Sequence, residues 1–263
     1  MDLELRGKSV LITGASKGLG LACAYGFAAE GANVHLVARN TAAMEAAAKD
    51  IRKKYKVDAT VHTFDLSLAK NAVALGKKCG TVDVLVNNAG AIPQGTIAQM
   101  TDEKWREAWD LKVFGFFNVT REIYKGMCKR GSGVIVNVIG AAGENHRASY
   151  IAGTTGNASL IAFTRALGGE SVDHGVRVVG INPGRILTER QIEHMEDRAQ
   201  KQFGDRKRWK EVLAKMSENL PFKRTGDPSE VSDLVCYLAS ARASYISGTV
   251  IAIDGGASTR PRA

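Results

Sequence analysis

Two groups of residues in this chain have types and spacings that suit chemistry. The first is Thr13-Gly14-Ala15-Ser16-Lys17-Gly18-Leu19-Gly20, where glycines recur between the apolar run Ser9-Val10-Leu11-Ile12 and a helical pattern over residues 19–30. Such a turn directs the free amides of a helix N-terminus at an anion, here the pyrophosphate of a dinucleotide. Gly14 permits the tight turn, Gly18 lets the backbone approach the phosphates, and Gly20 lets the helix close on the strand; Ser16 and Leu19 complete the cradle. The second group is cationic. At the end of the second strand, where an acidic side chain would take the adenosine ribose hydroxyls, Val37-Ala38-Arg39-Asn40 carries no carboxylate. Arg39 can fork onto a 2′-phosphate and Lys17 adds a second cation, so the expected cofactor is NADP.

The elements that must position these residues alternate along the chain. Strands are predicted over 9–13, 33–37, 60–64, 82–87, 133–138, 176–181 and 249–254, with helices over 41–54, 102–130 and 150–172 among the crossovers. The apolar, β-branched strands suit burial on both faces. The pattern therefore predicts an α/β fold, a doubly wound parallel sheet (Rossmann fold) of seven strands with helices on both faces, in one domain over 1–263. Residues 186–219 interrupt the alternation. This long, charged insertion, with Met195, Trp209, Val212, Leu213 and Met216, reads as a helical lid over a substrate. A further helix starts near Asp227-Pro228-Ser229-Glu230, where Asp caps, Pro occupies the first turn and Glu reaches back.

With 263 residues and 44% hydrophobic content the chain can bury a sizeable core. No run approaches a membrane span and the N-terminus lacks a signal-peptide layout, so a cytoplasmic protein without a membrane partner is expected. Cys23, Cys79, Cys128 and Cys236 are scattered without metal-ligand spacing, so neither a disulfide framework nor a metal site is expected. The net charge of +9 comes from dispersed Lys and Arg, and no nucleic-acid module is recognisable. The densest patch, Arg206-Lys207-Arg208-Trp209-Lys210, is either a solvated helix face or a collar attracting an acidic substrate such as an acyl thioester.

After the glycine turn, which has the form TGxxxGxG, Asp65-Leu66, Asn87-Asn88-Ala89-Gly90, Asn182-Pro183-Gly184 and Asp254-Gly255-Gly256 follow in order. Together these motifs resemble the short-chain dehydrogenase/reductase family over nearly the whole chain. The resemblance implies that Asp65, beside Leu66, accepts from the adenine amino group and that Asn87, Ala89 and Gly90 flank the adenosine ribose. It also implies that Thr188, after Pro183 and Gly184, fixes the nicotinamide amide. Asp65 as a helix cap and Asn87 as a pin within the sheet remain alternatives.

The family's chemistry uses a tyrosine to pass a proton to or from the substrate oxygen. A lysine lowers the phenol pKa and holds the ribose, a serine orients the carbonyl, and an asparagine holds a water. An ungapped alignment puts Lys112 at the asparagine position, Gly140 at the serine, Gly153 at the tyrosine and Asn157 at the lysine, so all four are changed. A rival alignment that moves Tyr150 onto the tyrosine puts Thr154 at the lysine. Tyr150 and Asn157 have the seven-residue spacing of the divergent enoyl-reductase members, and positions 150, 153 and 157 share one helix face. Tyr150 is therefore the expected proton donor and Lys112 the expected source of positive charge, with Asn157 at the cofactor.

The resulting expectation is an NADP-dependent oxidoreductase with a non-standard site, reducing a ketone such as a 3-oxoacyl thioester or cyclic ketone, or an activated double bond. The alternative is a nucleotide-binding sensor or scaffold that transfers no hydride. The apolar outer faces of 102–130 and 150–172, with Phe114, Phe117, Ile161 and Phe163, point to a homodimer or homotetramer.

Overall fold

A computed structural model describes residues 1–260. Seven parallel strands, β1 (Ser9–Thr13), β2 (Asn33–Ala38), β3 (Ala59–Thr63), β4 (Val84–Asn87), β5 (Gly133–Val138), β6 (Val176–Pro183) and β7 (Val250–Ile253), form one sheet in the order β3-β2-β1-β4-β5-β6-β7. The order reverses between β1 and β4, which opens a crevice at their C-terminal ends. Each central strand is nearly continuous apolar residues because both of its faces are covered. Leu11, Val37 and Leu85 belong to the core on one face, and Val10, Ile12, Leu36 and Val86 to the core on the other.

The helices are α1 (Gly18–Ala29), α2 (Thr41–Tyr55), α3 (Ala69–Lys78), α4 (Asp102–Trp109), α5 (Gly115–Arg130), α6 (Ile151–Glu170), α7 (Glu189–Phe203), α8 (Trp209–Ser217) and α9 (Pro228–Ala239). Helix α9 starts as its sequence dictates: Glu230 Oε2 accepts from the Asp227 amide at 2.7 Å, with Pro228 in the first turn. The helix expected over 102–130 is not continuous. A π-helical turn over Asp110–Phe114 separates α4 from α5. The wider turn leaves room where Gly115 approaches the Leu66 carbonyl, and it carries Lys112 inward.

The insertion after β6 forms α7 and α8. Its apolar residues differ from the expected substrate-facing set, because Met195 and Val212 are buried against Trp209, Leu213 and Met216 in a small core of their own. This arrangement lets two highly charged helices hold together with little help from the sheet. Among the described residues no helix is long and apolar enough to cross a membrane.

Candidate active site

The loops after β1, β2, β3, β4, β5 and β6 surround a cavity of about 800 Å³. Of the expected residues, Gly14, Ser16, Lys17, Gly18, Leu19, Arg39, Leu66, Ala89, Gly90, Lys112, Tyr150, Asn157, Pro183, Gly184 and Thr188 line it, whereas Gly20, Asp65 and Asn87 do not.

The glycine turn is built around contacts too close for a side chain. Gly14 has φ +69°, and a Cβ there would come within 2.9 Å of Ala89 Cα. Gly20 packs onto the Gly14 carbonyl and the Asn88 amide, so it closes helix on strand without facing the cavity. Asn88 is the pin: its Nδ2 donates to the Thr13 carbonyl at 3.0 Å while its own amide donates to Thr13 Oγ1 at 2.9 Å. The neighbouring Asn87 belongs to the sheet. Its Nδ2 donates to Thr120 Oγ1 and Asn137 Oδ1, both at 2.9 Å, so it cannot flank a ribose.

The exposed Gly18 amide donates at 3.0 Å to Glu189 Oε2, from the start of α7, and Lys17 Nζ lies 3.7 Å from Glu193. Two carboxylates of α7 thus sit on the donor and the cation that the turn offers an anion. At the adenosine end Arg39 is largely exposed and lies 4.0 Å from Asp65. Asp65 Oδ1 accepts from the Ser67 amide and hydroxyl at 3.1 and 2.8 Å. Partial burial raises its pKa, but these bonds and Arg39 prevail and hold the carboxyl below its usual range. Asp65 works as the cap of its own turn and sits outside the cavity lining.

At the opposite end the loop before α6 is fastened by a bridge from Gly95 to Tyr150 and by Thr154 Oγ1, which donates to the Arg147 carbonyl at 3.2 Å. Tyr150 caps α6, and its ring lies over Gly153, where a Cβ would overlap ring atoms Cε1 and Cζ. The phenol therefore occupies space that a side chain at 153 would fill. Asn157 Nδ2 donates to the Gly140 carbonyl at 3.3 Å, and Gly140 has φ +133°.

Lys112 is 7% exposed, its Nζ donating to the Val138 carbonyl at 2.8 Å and lying 4.4 Å over the Phe116 ring. Burial, reinforced by the positive charge of Arg190, pulls its pKa down to about 7. Burial raises the Tyr150 pKa, and Arg190 opposes the rise. The cation whose charge reaches the phenol is thus Arg190, whose Nη2 donates to the Ile92 carbonyl at 2.9 Å, rather than Lys112, which the low-dielectric interior leaves only partly charged.

A family model for short chain dehydrogenases matches residues 8–199. The chain belongs to the short-chain dehydrogenase/reductase family. The 3-oxoacyl-(acyl-carrier-protein) reductase of Chlamydia muridarum is 31% identical over 263 residues, spanning 97% of this chain and 99% of that protein. L-sorbose reductase from Gluconobacter frateurii, in complex with NADPH and L-sorbose, has a TM-score of 0.93 at 33% identity, covering 99% of this chain and 100% of that one. An NADPH-bound short chain oxidoreductase from Pseudomonas aeruginosa PAO1, containing an atypical catalytic center, has a TM-score of 0.87 at 27% identity, with 97% and 98% covered.

Among the cavity residues of this short-chain dehydrogenase/reductase that the sequence does not single out are Asn88, Glu189 and Arg190. Asn88 stands inside a motif that was quoted, and its ability to pin the Thr13 backbone was the missed signal. Glu189 and Arg190 open a charged helix, where no spacing distinguishes them from their solvated neighbours.

Proposed function

We propose that the chain is an NADPH-dependent reductase of a carbonyl compound in which Tyr150 gives the proton. The observation carrying this reading is the overlap of the Tyr150 ring with the side-chain space of Gly153, inside the same cavity as Asn157, Gly140 and Thr188. The ungapped alignment puts Lys112, Gly140, Gly153 and Asn157 at the four usual catalytic positions, and the displaced phenol fills the side-chain space of Gly153. The turn suits a dinucleotide, since the Gly18 amide already takes an anionic oxygen.

When bound, NADPH supplies a hydride. Arg39 and Lys17 take the 2′-phosphate end, Thr188 the nicotinamide amide, and Asn157 the adjoining ribose. Tyr150, with its pKa raised by burial, keeps its proton through neutral pH and delivers it to the substrate oxygen, while Arg190 stabilises the phenolate that results. Lys112, held on the Val138 carbonyl, positions the floor beneath. The relatives' names, a ketose reductase and a 3-oxoacyl reductase, favour a ketone over an activated double bond.

In this reading 186–219 is a lid whose first residues, Ile186 and Thr188 to Gln191, meet the substrate, while Met195 and Val212 do not. The whole chain acts as one domain, and α5 and α6 pair in a homodimer or homotetramer through Phe114, Phe117 and Phe163. Phe114 is 48% exposed, and the Phe117 and Phe163 rings lie 4.7 Å apart. Following NADPH absorbance against ketoses, cyclic ketones, 3-oxoacyl thioesters and enoyl thioesters tests the proposal. Turnover of a ketone supports it; tight NADPH binding with no turnover of any compound would favour the sensor or scaffold instead.

A further inference from the structure

Away from the cavity, His35 on β2, His62 on β3 and Cys79 at the C-terminal cap of α3 converge under the sheet. His62 pairs in register with Val37, so His35 stands on the same face, diagonally across the strands. His35 Nδ1 lies 2.9 Å from His62 Nε2, which lies 3.8 Å from Cys79 Sγ, and all three atoms fall within 4.8 Å of one another. The rings are within 19° of parallel with centroids 5.2 Å apart, and they meet edge to edge through this contact. Around a tetrahedral zinc ion with bonds of about 2.0 Å to nitrogen and 2.3 Å to sulfur, neighbouring ligand atoms stand about 3.3 to 3.6 Å apart. The His62 to Cys79 separation is already close to that spacing, and the two imidazoles must part by about 0.4 Å and turn off their common axis to reach it.

We propose that His35, His62 and Cys79 form a zinc site, with water in the fourth position, that ties β2, β3 and α3 together. The surroundings support it. Ser9 Oγ lies 3.2 Å from His35 Nε2, the ring nitrogen facing away from the cluster. When Nε2–H donates to Ser9, Nδ1 carries the ring's lone pair, which in this structure accepts from His62 Nε2. His62 is almost completely buried, and its Nδ1 has no hydrogen-bond partner among the described residues.

On binding, the proton held between the two imidazoles moves to His62 Nδ1, a zinc–sulfur bond forms as the S–H bond breaks, and one proton leaves to water; no electron is transferred. Sequence spacing could not show this set, because the ligands come from three separate elements.

The test uses the full-length protein, reduced and stripped with a chelator, titrated with Co²⁺ alone and then with Zn²⁺. A near-ultraviolet thiolate-to-cobalt band should saturate at one equivalent and vanish as zinc displaces cobalt. Cys79→Ser should abolish the band, Cys128→Ser should leave it, and Ser9→Ala should weaken affinity by about 10-fold or more. Absence of the band in the wild type, or its persistence in Cys79→Ser, overturns the proposal. Should Cys79→Ser fail to fold by circular dichroism, His35→Gln at the more accessible ligand decides: at least a 10-fold loss of affinity supports the site, and unchanged affinity refutes it.

Discussion

Lys112→Met should stabilise the protein at low pH and lose that advantage as the pH rises. The buried ammonium has a folded pKa of about 7 against 10.5 in the unfolded chain, a difference of about 3.5 units. Below pH 7 both states carry the proton, and the full cost of the buried charge is present. Between 7 and 10.5 the unfolded state holds more protons than the folded one, so wild-type stability climbs with pH. At about 1.36 kcal/mol per unit the climb approaches 5 kcal/mol as an upper figure. Methionine has a similar stem and no charge, so it removes the whole dependence. It also leaves the buried Val138 carbonyl without its donor, which costs about 1–3 kcal/mol. The variant should therefore be about 2–4 kcal/mol more stable than wild type at pH 6 and close to it, or less stable, at pH 9.5. Urea unfolding followed by tryptophan fluorescence at several pH values measures this. A difference that is flat in pH, or that grows with pH, would refute the buried-ammonium argument.

Arg39→Ala should lower NADPH affinity about 10-fold and leave NADH affinity unchanged, since only the phosphorylated ribose meets the guanidinium; cofactor titration followed by protein fluorescence checks both. Glu189→Gln should tighten NADPH by about 2- to 5-fold, because the carboxylate at the Gly18 amide competes with the pyrophosphate in an exposed, screened position. Unchanged or weaker NADPH binding in the same titration would mean that the contact is incidental. Sedimentation at micromolar concentration should show a dimer or tetramer, and Phe114→Glu should shift it toward monomer.

The sheet was legible because each strand has its own signature: an apolar run ended by a turn residue, with TGxxxGxG fixing β1 against α1. Asp102 to Arg130 was harder. Its helical periodicity persists through a π turn that only the packing of Gly115 on Leu66 reveals. Composition marked Met195 and Val212 as apolar, but not that α7 and α8 would bury them against each other. In the site, residues whose role is backbone chemistry, such as Gly14 and Gly18, were readable because few side chains tolerate their conformations. Asn87 takes the alternative role of a pin within the sheet, and Asn88, the next residue, turns toward the glycine turn. The electrostatics of Lys112 depended on how deeply the π turn buries it and on Arg190, a distant residue in sequence, so the type of side chain alone gave the wrong weight to its charge.

The most direct test of the relocated proton donor is the turnover of Tyr150→Phe beside wild type on whichever ketone the panel identifies, with NADPH affinity measured on the same preparations. Removing a positioned general acid should lower kcat by about 10²–10⁴-fold while NADPH affinity stays within about 2-fold, since the proposal assigns the lost hydroxyl to the substrate and not to the dinucleotide. Full activity in Tyr150→Phe would contradict the account and transfer the proton's source to water or to the substrate itself.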